Sequence, residues 1–195
     1  MKLYFASSNT HKKEEMSRLL GGYELTLPKD EGLTFSPIES ADSYIGNALI
    51  KARALYDIVK QPVLADDSGL EVLSLNRAPG IHTARYGCTD SKHLTSKEQY
   101  TLLLDNMKGI RDRRAYFICA LVLFISEERI YIIQESCPGS IALDPSGEEG
   151  FGYDPVFIVE EKGVSAASLS GEEKDLYSHR GRAARKMKLL LEENL

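Results

Sequence analysis

The chain has 195 residues, a length that suits one domain, or one domain built from two lobes. Its formal net charge is −5, whereas nucleic-acid-binding proteins usually carry a basic excess, and no apolar run is long enough to span a membrane. Its three cysteines lack metal-ligand spacing, and the N-terminus does not read as a signal peptide. We therefore expect a cytoplasmic protein that binds neither nucleic acid nor a membrane.

Apolar periodicity predicts strands and helices that alternate along the chain, which is typical of a mixed α/β fold with a partly antiparallel sheet. The predicted strands cover residues 3–6, 23–27, 63–65, 70–75, 114–125, 129–136 and 156–159. The predicted helices cover residues 10–20, 42–60 with Asp42 as N-cap, and 91–107, followed by a short helix after Ser170 and a final helix after Ser178.

Two adjacent carboxylates, Asp66 and Asp67, follow the predicted strand over residues 63–65 and precede a Ser-Gly turn. Side chains alternate across a strand, so the two carboxylates should point to opposite faces. One of them would then face a pocket, while the other caps the turn or braces the site. A capped strand end would give the same pattern, because Asp and Ser both favour turns.

The link between the first strand and the first helix is polar, with the sequence Ser7, Ser8, Asn9, Thr10, His11, Lys12. A helix N-terminus presents N–H groups and a partial positive charge, which favour a phosphate. An ordinary N-cap formed by Asn9 or Thr10 is the alternative interpretation.

Glu39 lies just before the helix predicted over residues 42–60. Together with Asp67 it could form a site for a hard cation, because Mg²⁺ takes one or two carboxylates plus substrate phosphates; a surface glutamate is the alternative. Asn47 and Lys51 lie one turn apart on that helix, and the pattern does not decide whether they face a cleft or solvent.

A glycine-rich loop over residues 147–155 places Phe151 between Gly150 and Gly152. This arrangement would leave the ring open to a flat partner such as a purine, although a tight turn with a buried Phe would look the same. Further along the chain, Lys174, His179 and Arg180 could donate hydrogen bonds to carbonyl oxygens of a base.

Taken together and in this order, these segments closely resemble the family of inosine triphosphatase-like pyrophosphatases. The resemblance is carried by Ser-Asn-x-x-Lys (8–12), Asn-Ala-x-x-Lys-Ala (47–52), Ala-Asp-Asp-Ser-Gly-Leu (65–70), Ala-Pro-Gly-Ile-x-x-Ala-Arg-Tyr (78–86), Phe-Gly-Tyr-Asp-Pro (151–155) and Glu-Glu-Lys followed by Ser-His-Arg-Gly (172–181). Each motif alone is only suggestive, whereas all of them in sequence order make a chance match improbable.

The resemblance implies an α/β fold with an elongated mixed sheet, flanking helices and two lobes around a central cleft, in one nucleoside-triphosphate pyrophosphatase domain over residues 1–195. It implies a homodimer that hydrolyses the purine nucleoside triphosphates ITP, dITP and XTP to the monophosphate and pyrophosphate with Mg²⁺. By the same resemblance, Asp67 is the general base and a metal ligand, and Glu39 is the second metal ligand. The implied substrate-binding residues are Ser7, Ser8, Asn9, Thr10, His11, Lys12, Ser68, Phe151, Gly152, Tyr153, Asp154, Lys174, His179 and Arg180.

The chain departs from the family pattern at Gly46, where a Glu usually precedes the helix Asn. This departure keeps open the alternative of a catalytically silent nucleotide-binding protein. A pyrophosphatase for other (d)NTPs is the alternative among enzymes.

Overall fold

The computed structural model describes residues 1–195 as a mixed α/β protein. Seven strands form its sheet: β1 (Lys2–Phe5), β2 (Glu24–Thr26), β3 (Val63–Val72), β4 (Arg114–Ser126), β5 (Arg129–Ile141), β6 (Phe157–Val159) and β7 (Val164–Ser165). The α-helices are α1 (Thr10–Leu19), α2 (Tyr44–Val59), α3 (Ser96–Asn106), α4 (Gly171–Tyr177) and α5 (His179–Asn194). No helix combines the length and the apolar character that crossing a membrane requires.

The sheet has the strand order β2-β1-β3-β4-β5-β6-β7. Strand β1 pairs in parallel with β2 and with β3, and α1 and α2 provide the long connections that parallel neighbours need. Strands β4 and β5 are joined by only two residues and form a hairpin, and β5, β6 and β7 pair in antiparallel fashion. The predicted mixed sheet with flanking helices is therefore confirmed.

The chain divides into two compact units. The first unit contains Met1–Asp67, Cys119–Glu135 and Arg180–Leu195; the second contains Ser68–Ile118 and Ser136–His179.

The core of the first unit has two parts because alternate residues of its strands point to opposite sheet faces. Leu3 and Phe5 of β1 pack in a cluster that includes Met16 of α1 and Met187 of α5. Tyr4, the residue between them, packs in a separate cluster that includes the small side chains of α2. The first unit thus has three layers, with α1 and α5 on one face of the sheet and α2 on the other.

The second unit has its own hydrophobic core. Leu70 and Val72 of β3, Phe117 of β4 and Phe157 of β6 contribute to it, and Leu103 of α3 packs in the same cluster. The rings of Phe117 and Phe157 lie 4.4 Å apart between centroids in a tilted arrangement. This aromatic pair links β4 to β6 within the core of the second unit.

Several sequence-based boundaries were wrong, and β5 also continues to Ile141 instead of ending at residue 136. Strand β3 continues through the predicted turn, because Leu70 and Val72 are fully buried and extend the apolar pattern of the strand beyond the two aspartates. Helix α2 is capped by Ser43 rather than Asp42: the Ser43 Oγ accepts a hydrogen bond from the N–H of Gly46 at 3.2 Å. Helix α3 begins only after Thr95, which forms a capping box with Glu98.

Candidate active site

Strand β3 places its two carboxylates on opposite faces of the first unit. Leu64 belongs to the core beneath α1 and α5, and Ala65 belongs to the core beneath α2. The same alternation turns Asp66 towards α1 and α5 and Asp67 towards α2. The predicted opposite orientation follows from an uninterrupted strand, and each carboxylate meets a different set of partners.

Asp66 is almost completely buried and lies in a network of ion pairs. Its Oδ1 accepts a hydrogen bond from Lys12 Nζ at 2.5 Å, and its Oδ2 accepts from Arg180 Nε at 2.8 Å. Arg180 also donates through Nη1 to Glu15 Oε2 at 2.6 Å, and the Cys119 thiol lies 3.5 Å from Asp66 Oδ2. This network joins α1, β3, β4 and the start of α5.

The charges around Asp66 determine its protonation state. Burial alone would raise the pKa of this carboxyl, but Arg180 and Lys12 outweigh that effect and hold the pKa well below its ordinary value. Burial and the neighbouring Asp66 carboxylate raise the pKa of the Cys119 thiol, which stays protonated as a weak donor. Asp66 is therefore a permanent anion that fixes two cations, and it is poorly suited to accept a proton.

Asp67 has a different environment, with one partnered oxygen and one orphaned oxygen. Its Oδ1 accepts from Lys51 Nζ at 2.6 Å, and the same ammonium lies 3.4 Å from Glu39 Oε1. The Oδ2 atom is buried and has no hydrogen-bond partner. Burial raises the pKa of Asp67, although Lys51 opposes the shift. A carboxylate with a raised pKa and an unused oxygen is suited to accept a proton or to ligate a cation.

The donor set around Asp67 fits a hard divalent metal. No group of three or more acidic, His or Cys side chains is gathered in a metal-binding arrangement, and Glu39 and Asp67 are the two carboxylates that meet at the Lys51 ammonium. Magnesium typically binds through one or two carboxylates and completes its shell with substrate phosphates and water. The orphaned Oδ2 of Asp67 supplies a lone pair for such an ion.

The polar start of α1 lies in the same unit. Asn9 is its N-cap, accepting the N–H of Lys12 at 3.1 Å, and Ser7 Oγ accepts the N–H of Asn9 at the same distance. Ser8, Thr10 and His11 are exposed. The cap expected from the sequence is therefore present, and Lys12 reaches from this turn to Asp66.

A second cluster of predicted residues lies in the second unit. Asp154 Oδ2 accepts from Lys174 Nζ at 2.6 Å and from the backbone N–H of Phe151 at 2.8 Å. The Lys174 ammonium also lies 5.0 Å from the centroid of the Phe151 ring. At Gly150 the backbone has φ +77°, and a Cβ there would lie 2.2 Å from Asp154 Oδ2. Only glycine permits this close turn.

The same cluster lines a small cavity of about 10 Å³, with Asp154, Lys174 and His179 among the lining residues. The His179 ring stacks on Phe117, with centroids 4.8 Å apart and planes 14° from parallel. Tyr153 is buried in the core, and its hydroxyl donates to the carbonyl of Thr83. The wall of this cavity includes the Asp154–Lys174 ion pair, the His179 imidazole and the rings of Phe117 and Phe157.

Sequence reasoning did not select four residues that the structure places in these clusters: Glu15, Lys51, Asp66 and Phe117. Lys51 had a signal, since it is one turn from Asn47 in the recognised Asn-Ala-x-x-Lys-Ala motif. Asn47 is buried, and its Oδ1 accepts from the N–H of Ala41, which fixes the segment that carries Glu39. Glu15 and Phe117 had no signal, because their partners are distant in sequence.

The departure at Gly46 has a steric cause in this chain. A Cβ at this position would lie 2.5 Å from the Cβ of Ala41 and 3.0 Å from the Oγ of Ser43. Real carbon atoms do not approach this closely, so the methyl group of Ala41 fills the space that a Glu side chain would need.

Comparisons with known proteins agree over almost the whole chain. The model of the Ham1 family matches residues 3–190. The dITP/XTP pyrophosphatase of Treponema denticola is 51% identical over 183 residues, covering 94% of each protein. That of Escherichia coli K12 is 40% identical over 197 residues, covering 98% of this chain and 96% of the relative.

Solved structures support the same relationship. The Ham1 protein of Staphylococcus aureus superimposes with a TM-score of 0.87 at 31% identity over 100% of both chains. A HAM1 protein from Coxiella burnetii gives 0.88 at 33% identity over 99% of both chains. The resemblance seen in the sequence motifs is confirmed, and this chain belongs to the Ham1 family.

Proposed function

We propose that this chain is a nucleoside-triphosphate pyrophosphatase that hydrolyses dITP, XTP and ITP to the monophosphate and pyrophosphate. Asp67 carries this assignment: it is a buried carboxylate with an orphaned Oδ2 and a raised pKa, and Glu39 shares its Lys51 partner. The curated relatives with 51% and 40% identity are dITP/XTP pyrophosphatases, which supports the substrate class.

Glu39 and Asp67 would hold Mg²⁺. Bound there with the nucleotide, the ion would neutralise phosphate charge and make a nearby water more acidic. Asp67 would hold the ion with one carboxylate oxygen and use the other to orient the attacking water and take its proton, since its Oδ2 is not committed to another donor. The water oxygen forms a bond to the α-phosphorus, the bond from that phosphorus to the bridging oxygen breaks, and pyrophosphate leaves.

Lys12 and the start of α1 would hold the triphosphate. Asp66 directs the Lys12 ammonium, which adds a full positive charge to the partial charge of the helix N-terminus. Ser7, Ser8, Asn9, Thr10 and His11 would supply short polar groups in this turn. These groups stabilise the negative charge that accumulates on the leaving pyrophosphate.

The second-unit cluster would select the base. Lys174 and His179 can donate to a 6-oxo group, and Phe151 to Asp154 would contact the ring, with Ser68 as a further polar contact. Adenine presents an amino group in place of the 6-oxo acceptor, so both the donors and the amino group would stay unpaired. That mismatch costs about 1–3 kcal/mol for each unmet group. Since the cavity of about 10 Å³ holds only a water-sized molecule, its lining must open for a purine.

Arg180 supports the site through Asp66 and Glu15. Both carboxylates accept hydrogen bonds from its guanidinium, which is 2% exposed. Its contribution to substrate binding would therefore be to hold Asp66, and through it Lys12, in place. Such charge-assisted bonds fix a planar guanidinium strongly.

We also propose the finer features that the family resemblance implies: Mg²⁺ as the metal, a homodimer, one functional domain over residues 1–195, and a cytoplasmic location. The three free cysteines are compatible with a reducing compartment.

The proposed activity is tested by incubating the protein with dITP, XTP, ITP, dATP, dGTP and dUTP in the presence of Mg²⁺ and measuring pyrophosphate. Release from dITP, XTP and ITP, with little from dATP and dUTP, supports the assignment; guanine also carries a 6-oxo group, so the result with dGTP does not bear on the contact to that group. Faster release from another nucleotide would favour the alternative of a pyrophosphatase for other (d)NTPs. Tight nucleotide binding without release would favour a silent binding protein.

A further inference from the structure

Lys51 occupies the position between the two carboxylates assigned to the metal. Its Nζ lies 2.6 Å from Asp67 Oδ1 and 3.4 Å from Glu39 Oε1. The residue is 8% exposed and extends from the middle of α2, whose packing against the sheet limits its movement. The ammonium is therefore the counter-ion that both carboxylates share.

The shared counter-ion satisfies the pair only partly. One ammonium neutralises one of two negative charges, and Asp67 Oδ2 is left buried without a hydrogen-bond partner. An unpaired buried acceptor is costly, and two carboxylates around one cation retain a net negative charge. The two carboxylates therefore still attract a divalent cation, although the singly charged ammonium of Lys51 occupies the position between them.

We propose that Lys51 is an internal competitor of the divalent metal: its ammonium holds Asp67 and Glu39 in the free protein, and must give up these contacts before the metal binds them. Because the metal is assigned to these two carboxylates, this role of Lys51 rests on the function proposed above. This role also predicts the order of binding: the metal binds these carboxylates more readily when the nucleotide is present. Free metal ions bind weakly, whereas the nucleotide brings phosphates that offer the displaced ammonium a new anionic partner.

A purely structural ion pair would behave differently. If Lys51 only tied α2 to β3 and the metal bound elsewhere, replacing it with Met would destabilise the protein and leave metal affinity unchanged or lower. If Lys51 competes with the metal, the same replacement removes the competitor and exposes two uncompensated carboxylates. Metal affinity in the absence of nucleotide then rises, so the sign of the change separates the two roles.

The test is a titration with Mn²⁺ without nucleotide, followed by electron paramagnetic resonance of the free ion. Lys51→Met is compared with wild type, with Lys51→Arg, which keeps the charge, and with Lys13→Met. The Lys13→Met substitution removes the same charge from the surface of the same unit, where Lys13 pairs with Asp30 at 2.6 Å. We expect Lys51→Met to bind at least about tenfold more tightly than wild type. Lys51→Arg and Lys13→Met should stay within about twofold of it.

The double variant Lys51→Met with Glu39→Gln should not show the increased Mn²⁺ affinity of Lys51→Met. That result would assign the tighter binding to this carboxylate pair. Thermal melts of each variant with and without Mn²⁺ provide a second readout. A Lys51→Met protein that is unfolded alone and folds with Mn²⁺ supports the competition.

The competition is overturned if Lys51→Met binds Mn²⁺ no more tightly than wild type does, or if neither protein binds it. A Lys51→Met protein that stays unfolded in the presence of Mn²⁺ also overturns it. The titration needs no turnover, so a failed nucleotide assay would refute the proposed function without deciding the role of Lys51.

Discussion

Arg180 donates through Nε to Asp66 Oδ2 at 2.8 Å, and both side chains are almost completely buried. Arg180 lies in the first turn of α5 and Asp66 lies in the middle of β3, so one ion pair joins the C-terminal helix to the strand that carries Asp67. Glu15 and Lys12 extend the pair into a chain of alternating charges. This run of charges holds Asp66 through both of its oxygens, whereas its neighbour Asp67 keeps one oxygen without a hydrogen-bond partner.

Asp67→Asn should preserve the fold and abolish most of the activity. The amide cannot take the proton of the attacking water, so we expect kcat for XTP to fall by about 10²–10⁴-fold. Steady-state pyrophosphate release measures the loss, with circular dichroism as the check on folding. Asp57→Asn, at an exposed position of α2, is the matched control and should keep wild-type kcat. Near-normal turnover by Asp67→Asn would show that another group is the base.

Asp66→Asn should mainly reduce stability. The substitution leaves Arg180 and Lys12 without their shared anion, and breaking such a buried pair costs about 3–5 kcal/mol. Urea denaturation at neutral pH measures the change in the free energy of unfolding. Asp112→Asn removes an exposed partner of Arg114 and should change it little. Equal effects of the two substitutions would contradict the structural role of Asp66.

The lowered pKa of Asp66 also predicts how stability depends on pH. Because the folded-state pKa lies below the unfolded value of about 3.9, this carboxylate stabilises the fold above that value. The stabilisation is lost as pH falls through the folded pKa. Urea denaturation is measured from neutral pH down to the lowest pH at which the protein folds. Over this range the free energy of unfolding should fall more steeply for wild type than for Asp66→Asn. Parallel curves would mean that Asp66 titrates alike in both states.

Gly46→Glu should destabilise the protein unless Ala41 is shortened as well. The new Cβ would lie 2.5 Å from the Ala41 methyl group, and overpacking of this kind costs about 1–3 kcal/mol. The double variant with Ala41→Gly removes the clash. Thermal melts of both single variants and the double variant form a cycle, in which we expect a favourable coupling. Strict additivity would show that Ala41 is not what excludes a Glu here.

Lys174→Met should weaken selection of the base more than it affects the triphosphate. Loss of a donor to the 6-oxo group should lower kcat/KM for dITP by about tenfold or more and narrow the margin over dATP. Lys162→Met, which removes a cation paired with Glu173 in the same unit, is the control. An unchanged dITP-to-dATP ratio in Lys174→Met would remove this residue from base selection.

Local patterns were sufficient for part of this structure. The strand β1, the opposite orientation of Asp66 and Asp67 and the helix capped by Ser170 depend on neighbouring residues and were predicted from the sequence, as was a cap at Asn9 or Thr10. The continuation of β3 through Asp66 to Gly69 was not, because burial within the sheet outweighs the turn preference of Asp and Ser.

The ion pairs between residues distant in the chain could not be predicted from one sequence. Arg180 meets Asp66 across 114 positions, and no spacing rule connects them. For Lys51 the pattern gave the correct helix but could not choose the face that its side chain takes. The family motifs narrowed the search for site residues, whereas the roles of Asp66 and Lys51 emerged only from their contacts.

Attack of water on the α-phosphorus with Asp67 as its base can be followed by hydrolysing XTP in isotopically labelled water (H₂¹⁸O) with wild type and Asp67→Asn. Mass spectrometry of the products then locates the label. We predict one labelled oxygen in the monophosphate, unlabelled pyrophosphate, and no comparable turnover by Asp67→Asn. Label in pyrophosphate or orthophosphate, or normal turnover by the variant, would contradict the account.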